Sequence, residues 1–227
     1  DSDSVIHSLE IGNVNFIFHD LSGGVYQRIN ANTEEFPMNN LVFLGVQSKN
    51  ELLQNQKVLQ AMSLALAREE VASSAYQGHA SASATPFRPD WHALKGLTTA
   101  GVKQDKEAAM KLLQEAGFDK TDASGARTRN GKALKFTLVV NKENPFRLSA
   151  ANMIAAQLSA VGIKVTVTQL AWADYTKAVQ GGRFDLYLGE VKLSNNMSLA
   201  PFFDEAGAAK AGINQEGAAA ASYKQML

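Results

Sequence analysis

The sequence lacks cysteine altogether, which excludes disulfide bonds, thiolate metal sites and a cysteine nucleophile. It also lacks net charge, because 22 lysine and arginine residues balance 22 aspartate and glutamate residues. Without a basic excess we expect no nucleic-acid partner and no attraction to an anionic membrane surface. No apolar run approaches the roughly 20 residues of a membrane span, and residues 1–4 do not resemble a signal peptide. The sequence therefore predicts either a cytosolic protein or a mature or trimmed piece of an exported one.

Motifs for catalysis and metal binding are also missing. The four histidines, at positions 7, 19, 79 and 92, are widely spaced and form no zinc-binding pair. The chain contains no Gly-x-Ser-x-Gly nucleophile motif and no phosphate-binding loop. Asp119, Asp122 and Gly125 do not give the alternating oxygen ligands of a calcium loop, and a polar loop entering a hairpin explains them better. We expect neither enzymatic activity nor a cofactor.

The first hundred residues contain one clear strand and one clear helix. A short apolar run at 41–46 predicts a buried strand, and the less regular run at 14–18 predicts another. Leu59, Met62 and Leu66 recur at helical spacing within residues 56–76, which predicts an amphipathic helix. Residues 78–102 have no periodicity, so we expect a long surface crossing there.

The second half of the chain alternates strands with helices. A helix begins at Asp105 and ends before Gly117, and strands at 134–140, 163–167 and 184–188 enclose helices at 146–161 and 172–180. Strands joined by helical crossovers pair in parallel and place ligand groups beyond their carboxyl ends. Those ends are residues 141–144, 169–172 and 189–196. The alanine- and glycine-rich tail at 206–221 predicts a further helix.

Four segments carry a resemblance to a known family. Residues 60–69 (QAMSLALARE), 105–118 (DKEAAMKLLQEAGF), 131–138 (GKALKFTL) and 154–189 match, in register, segments of the peptide- and nickel-type extracellular solute-binding proteins of bacterial ABC importers. The likeness covers about residues 40–203. It implies an α/β fold: one lobe of a type II periplasmic-binding-protein-like fold, with a mostly parallel sheet flanked by helices. Residues 1–40 would then be a hinge or first-lobe remnant, and residues 41–227 a second ligand-binding lobe truncated at its C-terminal part.

The resemblance also implies a role. The chain would belong to the solute-binding component of an ABC importer, a monomer that captures peptides or similar small polar solutes between two lobes and delivers them to a membrane permease. It would act outside the cytoplasm, as a cell-surface lipoprotein or in the periplasm. The alternative is an extracytoplasmic sensor or interaction domain on the same fold, because fold does not decide function.

Candidate ligand-binding residues lie beyond the predicted strands. Trp172 would either stack on a ligand or pack against the sheet. The run 189–196 lacks the aspartate with which peptide-binding members often hold the ligand's α-amino group, and Lys192 brings the opposite charge. An ammonium would therefore be repelled unless Glu190 turned inward, and the loop would suit an anionic or carbohydrate-like group. Lys192 is otherwise a solvated loop lysine.

Three asparagines and one arginine complete the candidate site. Asn195 and Asn196 carry amides that suit backbone or hydroxyl groups, although paired asparagines form turns equally well. Asn141 and Arg147 flank the carboxyl end of the first of the three parallel strands. They are candidates for lining the cleft.

Overall fold

The computed structural model describes residues 2–24, 29–95 and 103–203. The helices are α1 (Ser2–Glu10), α2 (Gln56–Ala65), α3 (Arg68–Glu70), α4 (Lys106–Glu115), α5 (Pro145–Ala160), α6 (Trp172–Gln180) and α7 (Ala200–Phe203). The strands are β1 (Asn40–Val46), β2 (Lys120–Thr121), β3 (Arg127–Arg129), β4 (Lys132–Ala133), β5 (Lys135–Asn141), β6 (Lys164–Leu170) and β7 (Leu186–Lys192). None of these helices is long and apolar enough to cross a membrane.

The main sheet has the strand order β1-β7-β5-β6. Strand β5 is parallel to both β6 and β7, as the alternation of strands and helices predicts, whereas β1 is antiparallel to β7. The expectation of a mostly parallel sheet flanked by helices is confirmed. Because β1 runs the opposite way, its first residue, Asn40, lies beside Lys192 at the end of β7. The amino end of β1 therefore shares an edge with the carboxyl ends of the parallel strands.

Alternating side chains place a core on each face of this sheet. Leu138 and Val140 face the larger core, which α2, α4 and α5 complete with residues such as Leu113 and Leu158. The intervening Val139 faces a smaller core against α6. Phe136 and Leu158 are buried as the sequence predicts, but Leu112 is only partly buried and Leu113 takes the interior position.

Local sequence signals define the ends of the helices. Asp105 caps α4 by accepting a hydrogen bond from the Ala108 N–H (2.8 Å), and Gly117 follows that helix at φ +86°. Asn144 caps α5 through the Arg147 N–H (3.0 Å). Gly162 ends the same segment at φ +90°, where a side chain would collide with Arg127. These caps are the reason why the predicted boundaries agree with the structure.

The predicted helix over residues 56–76 is interrupted. Helix α2 ends at Ala65, and the chain resumes as α3 and then as a π-helix over Val71–Ala75. The Gln157 side chain accepts a hydrogen bond from the Ala67 N–H (3.0 Å), and the Arg68 guanidinium donates to the Ser63 carbonyl (3.0 Å). Tertiary hydrogen bonds thus replace helical ones at the break.

Three further predictions from the sequence have different outcomes in the structure. Residues 14–18 form no strand, and the ring of Phe16 is 80% exposed. The strand expected at 184–188 begins at Leu186 and continues to Lys192, because β1 pairs with it residue by residue. The surface crossing at 78–95 is irregular apart from a 3₁₀ turn at His92–Leu94, while residues 96–102 and the predicted helix at 206–221 lie outside the described residues.

The polar stretch before β5 is a hairpin and not a calcium loop. Strands β2, β3 and β4 form a small antiparallel sheet, with Asn130 and Gly131 at positive φ in the last turn. Asp122 accepts hydrogen bonds from the Ser124 and Ala126 backbone and pairs with Lys135 at 2.8 Å. In the described parts of the chain, no group of three or more histidine, aspartate or glutamate residues is placed to hold a metal ion.

Candidate functional site

The predicted site residues are distributed around the carboxyl edge of the main sheet. Asn141 ends β5, Trp172 begins α6 directly after β6, and Lys192 ends β7. Asn195 and Asn196 follow in the next turn. The run 189–196, however, is not all loop, because residues 189–192 belong to β7. Glu190 therefore points from a strand, with an orientation fixed by the pleat of the sheet.

The three asparagines shape backbone at this edge. The Asn141 side-chain oxygen accepts a hydrogen bond from the Glu143 N–H (2.9 Å), and that of Asn196 accepts from the Ser194 hydroxyl (2.6 Å). The Asn195 oxygen accepts from the Asn39 amide (3.2 Å), which joins this turn to the segment before β1. Each side-chain oxygen is thus committed to the protein, as in typical asparagine turns.

Trp172 presents much of its ring to solvent. The side chain is 56% exposed, and it stacks on Tyr175 with ring centroids 5.7 Å apart and planes inclined by 24°. Tyr175 in turn is part of the core beneath α6, and its hydroxyl donates to the Leu188 carbonyl (2.7 Å). A buried tyrosine therefore supports an exposed tryptophan, which leaves indole surface available to a planar or apolar ligand group.

Lys192 is exposed, and its positive charge acts on Asp20. Partial burial raises the pKa of Asp20, but hydrogen bonds from Ser22 and the charges of Lys192 and His19 outweigh that effect and lower the pKa overall. Lys192 is thus a solvated side chain with an acidic neighbour from the segment before β1.

Glu190 and Arg147 form a buried ion pair. Their side chains are 10% and 14% exposed, and the Arg147 guanidinium donates to one Glu190 oxygen while the Asn40 amide donates to the other. Glu190 is turned toward α5, where its charge is compensated by Arg147. It does not supply the free carboxylate that would attract an ammonium group.

Three polar atoms beside this ion pair have no protein partner within the described ranges. They are the Asn40 side-chain oxygen, the Tyr76 hydroxyl and the Arg147 Nε, all buried. Tyr76 interacts electrostatically with both Arg147 and Glu190, and burial raises its pKa far above the ordinary value. Asn40 and Tyr76 are not among the site residues predicted from the sequence. The antiparallel strand β1 and the π-helix bring them to this position, and neither feature has a clear local signal in the sequence.

An open cavity of about 2050 Å³ adjoins these groups. Its lining includes Tyr76, Leu188 and Glu190, and Phe146, Ala150 and Ile154 of α5, together with residues of the stretches 15–22, 31–40 and 78–90. The ring of Tyr76 lies 5.8 Å from that of Phe146. Arg147, Trp172 and Lys192 are not among the residues that line this cavity.

The fold of this chain, a mixed α/β lobe whose parallel strands end at a polar, open edge, is that of the type II periplasmic binding proteins. The sequence profile described as bacterial extracellular solute-binding proteins, family 5 Middle, matches residues 1–209, and the chain belongs to this family. Its members are non-enzymatic substrate-binding proteins of ABC transporters, so the expectation that the chain is not an enzyme is confirmed.

Individual relatives agree with this assignment. The chain is 28% identical to the oligopeptide-binding protein AppA of Bacillus subtilis over 196 residues, which are 82% of this chain and 35% of that protein. It is 26% identical to heme-binding protein A of Haemophilus influenzae over 146 residues, or 63% of this chain and 24% of that one. The chain therefore spans about a third or less of the length of these curated relatives.

Solved structures share the fold. That of AppA in complex with a nonapeptide superposes with a TM-score of 0.77 at 24% identity, covering 99% of this chain and 46% of that one. The structure of NikA from Brucella suis in complex with Fe(III)-EDTA superposes with a TM-score of 0.67 at 18% identity, covering 78% of this chain and 35% of that one.

Proposed function

We propose that this chain supplies one ligand-binding lobe of the solute-binding component of an ABC importer. The intact protein captures peptides or similar small polar solutes between two lobes, as a monomer outside the cytoplasm, in the periplasm or as a cell-surface lipoprotein, and delivers them to a membrane permease. In this proposal residues 1–40 belong to the hinge or the first lobe, and residues 41–227 to the second.

One observation carries the proposal. The parallel order of β6, β5 and β7 brings their carboxyl ends to one edge, where Trp172 is 56% exposed on a buried tyrosine and Lys192 is accessible. An exposed aromatic ring beside polar groups at a strand-end crevice is the usual composition of a solute site. The family assignment supports this interpretation of the edge.

The electrostatics of the edge favour particular ligand groups. Arg147 compensates Glu190, so that β7 presents the exposed cation Lys192 and no free carboxylate. A peptide α-ammonium therefore finds no free carboxylate on β7, whereas a peptide carboxylate, backbone amide or hydroxyl is accommodated. The solute would therefore be held on this lobe by anionic or neutral groups and by stacking on Trp172.

Capture of ligands by the intact protein tests the proposal. The purified protein would be offered a tryptic peptide digest, a mixture of mannose oligosaccharides, nickel(II)-histidine and hemin, and retained compounds would be identified by mass spectrometry after denaturation. We expect peptides or another polar solute to be retained. Retention of none of these probes above the level of a heat-denatured control would contradict the proposal.

Variants then locate the site. Trp172→Ala and Lys192→Ala should each weaken calorimetric binding of the captured solute by about 1–3 kcal/mol, the range for an aromatic anchor or a charged hydrogen bond. Lys164→Ala is the matched control, because Lys164 begins β6 at the opposite edge of the sheet. Wild-type affinity in both site variants would show that this edge is scaffold even if the protein binds solute.

A further inference from the structure

A partly buried polar cluster consists of Asn40, Tyr76, Arg147 and Glu190, and structural features remote from one another in sequence bring these residues together. Tyr76 follows the π-helix, Asn40 opens the antiparallel strand β1, and Glu190 lies in the part of β7 that pairs with β1. Arg147 lies in the first turn of α5, whose start is fixed by the Asn144 cap. We call this cluster, with the adjoining Phe146 and Leu188, the Tyr76 pocket.

The unpartnered atoms of the pocket define a hydrogen-bonding requirement. Asn40 and Tyr76 both line the cavity, where the Asn40 oxygen can only accept and the Tyr76 hydroxyl can both donate and accept. The orientation of the Asn40 amide is fixed by Glu190, because a carboxylate accepts and so requires the amide nitrogen to face it. Buried polar atoms are nearly always partnered in native proteins, so the two unpartnered atoms of these cavity-lining residues indicate a group that enters from the cavity.

Hydrogen-bonding capacity and charge restrict the chemical groups that fit this pocket. An ammonium cannot accept from the Tyr76 hydroxyl, and a carboxylate cannot donate to the Asn40 oxygen. The Arg147–Glu190 pair is already compensated, so a charged group would enter a partly buried site without a counter-ion. A hydroxyl or a primary amide both donates and accepts and carries no charge. Phe146, Leu188, Ala150 and Ile154 line the same cavity and offer contact to an apolar body.

We propose that the Tyr76 pocket is a subsite for a neutral hydroxyl or amide group carried on a short apolar body of the captured solute. The inference rests on the proposed function, since the group would belong to that solute. It adds a specificity element on the face of the sheet that carries the larger core, whereas Trp172 lies in α6 against the other face.

Small probes test the pocket independently of the solute. Binding of 1-butanol, butyramide, butylammonium, butyrate and butyl methyl ether to the intact protein would be measured by saturation-transfer difference NMR titration. We expect 1-butanol and butyramide to bind, and the two charged probes and the ether, which cannot donate, to give no saturable signal at the same concentrations. Tyr76→Phe should weaken 1-butanol binding about two- to tenfold, the loss of one neutral hydrogen bond.

Controls separate the possible outcomes. Tyr187→Phe removes a hydroxyl from the opposite face of the sheet and should leave probe binding unchanged. Asn40→Ala provides a second test, with folding of both variants checked by their thermal transitions. Equal binding of charged and neutral probes, or unchanged binding in Tyr76→Phe and Asn40→Ala, would overturn the inference. A protein that binds butanol at this pocket but captures no solute would instead contradict the proposed function alone.

Discussion

Two tyrosines have hydroxyl groups in opposite hydrogen-bonding situations, and the same atom can be deleted from each. The Tyr175 hydroxyl donates to the Leu188 carbonyl at 2.7 Å, whereas the Tyr76 hydroxyl has no partner among the described residues. Tyr→Phe removes one oxygen and keeps the ring, so packing is nearly conserved in both variants. The difference between the variants therefore reports the hydrogen bond rather than burial.

The expected change in the free energy of unfolding depends on whether the deleted hydroxyl has a hydrogen-bond partner. A net hydrogen bond contributes about 0.5–1.5 kcal/mol, so Tyr175→Phe should lower the free energy of unfolding by about 1 kcal/mol. Tyr76→Phe removes a buried hydroxyl that has no partner to lose, so its free energy of unfolding should change by no more than about 0.5 kcal/mol and could rise.

Urea unfolding of the ligand-free protein, followed by circular dichroism, measures both effects. The comparison is valid if the slopes with denaturant are equal, since a changed slope would indicate an altered denatured or native state. A loss in Tyr76→Phe as large as that in Tyr175→Phe would refute the reasoning. It would mean that the Tyr76 hydroxyl has a structural partner in the ligand-free protein and that the Tyr76 pocket is already filled.

Three further predictions concern stability. Leu158→Ala truncates a fully buried side chain and should lower the free energy of unfolding in urea by about 2–5 kcal/mol. Leu112→Ala truncates a partly buried side chain and should lower it distinctly less. Equal losses would contradict the observation that Leu112 lies outside the buried face of α4. Gly131→Ala should lower the free energy of unfolding by about 1–2 kcal/mol because of its positive φ alone. Gly162→Ala should lower it more, because the new Cβ would lie 2.6 Å from the Arg127 side chain, which two backbone carbonyls hold in place. A lower melting temperature for Gly131→Ala than for Gly162→Ala would refute this. Burial raises the pKa of Tyr175 to about 12, against roughly 10 in an unfolded chain. Because the pKa is higher in the folded state, the neutral Tyr175 hydroxyl contributes its full stabilisation below pH 10, and this stabilisation is lost as the pH rises toward 12. The difference in absorbance at 295 nm between the wild type and Tyr175→Phe should show Tyr175 ionising well above pH 10. Ionisation near pH 10 in the folded protein would contradict its burial.

The alternation of helices and strands could be predicted from sequence because its signals are local. Asp105, Gly117 and Gly162 each act on the backbone within a few residues, and the apolar periodicity of α4 and β5 is independent of the rest of the chain. Parallel pairing follows from the helical crossovers. The predicted position of Trp172 and Asn141 at the carboxyl edge of the sheet is therefore confirmed.

The environment of the site residues could not be predicted in the same way, because it depends on pairing between distant segments. Nothing near residue 40 indicates that β1 is antiparallel to β7, yet that pairing extends β7 to Lys192 and brings Asn40 to Glu190. The π-helix before Tyr76 likewise depends on a break stabilised by Gln157 from α5. Long-range hydrogen bonds of this kind leave no periodic trace in the sequence.

Glu190 shows how such a pairing changes the chemistry expected of a residue. In a loop its carboxylate would be free to turn toward a ligand ammonium. In β7 the pleat places it on the same face as Leu186 and Leu188, which belong to the larger core, so the carboxylate must be compensated. Arg147 is the cation in reach, because α5 starts close to the carboxyl end of β5, the strand beside β7. The carboxylate that the sequence offers to a ligand is thus compensated inside the protein, and in the subsite proposed above recognition depends on the neutral atoms of Asn40 and Tyr76.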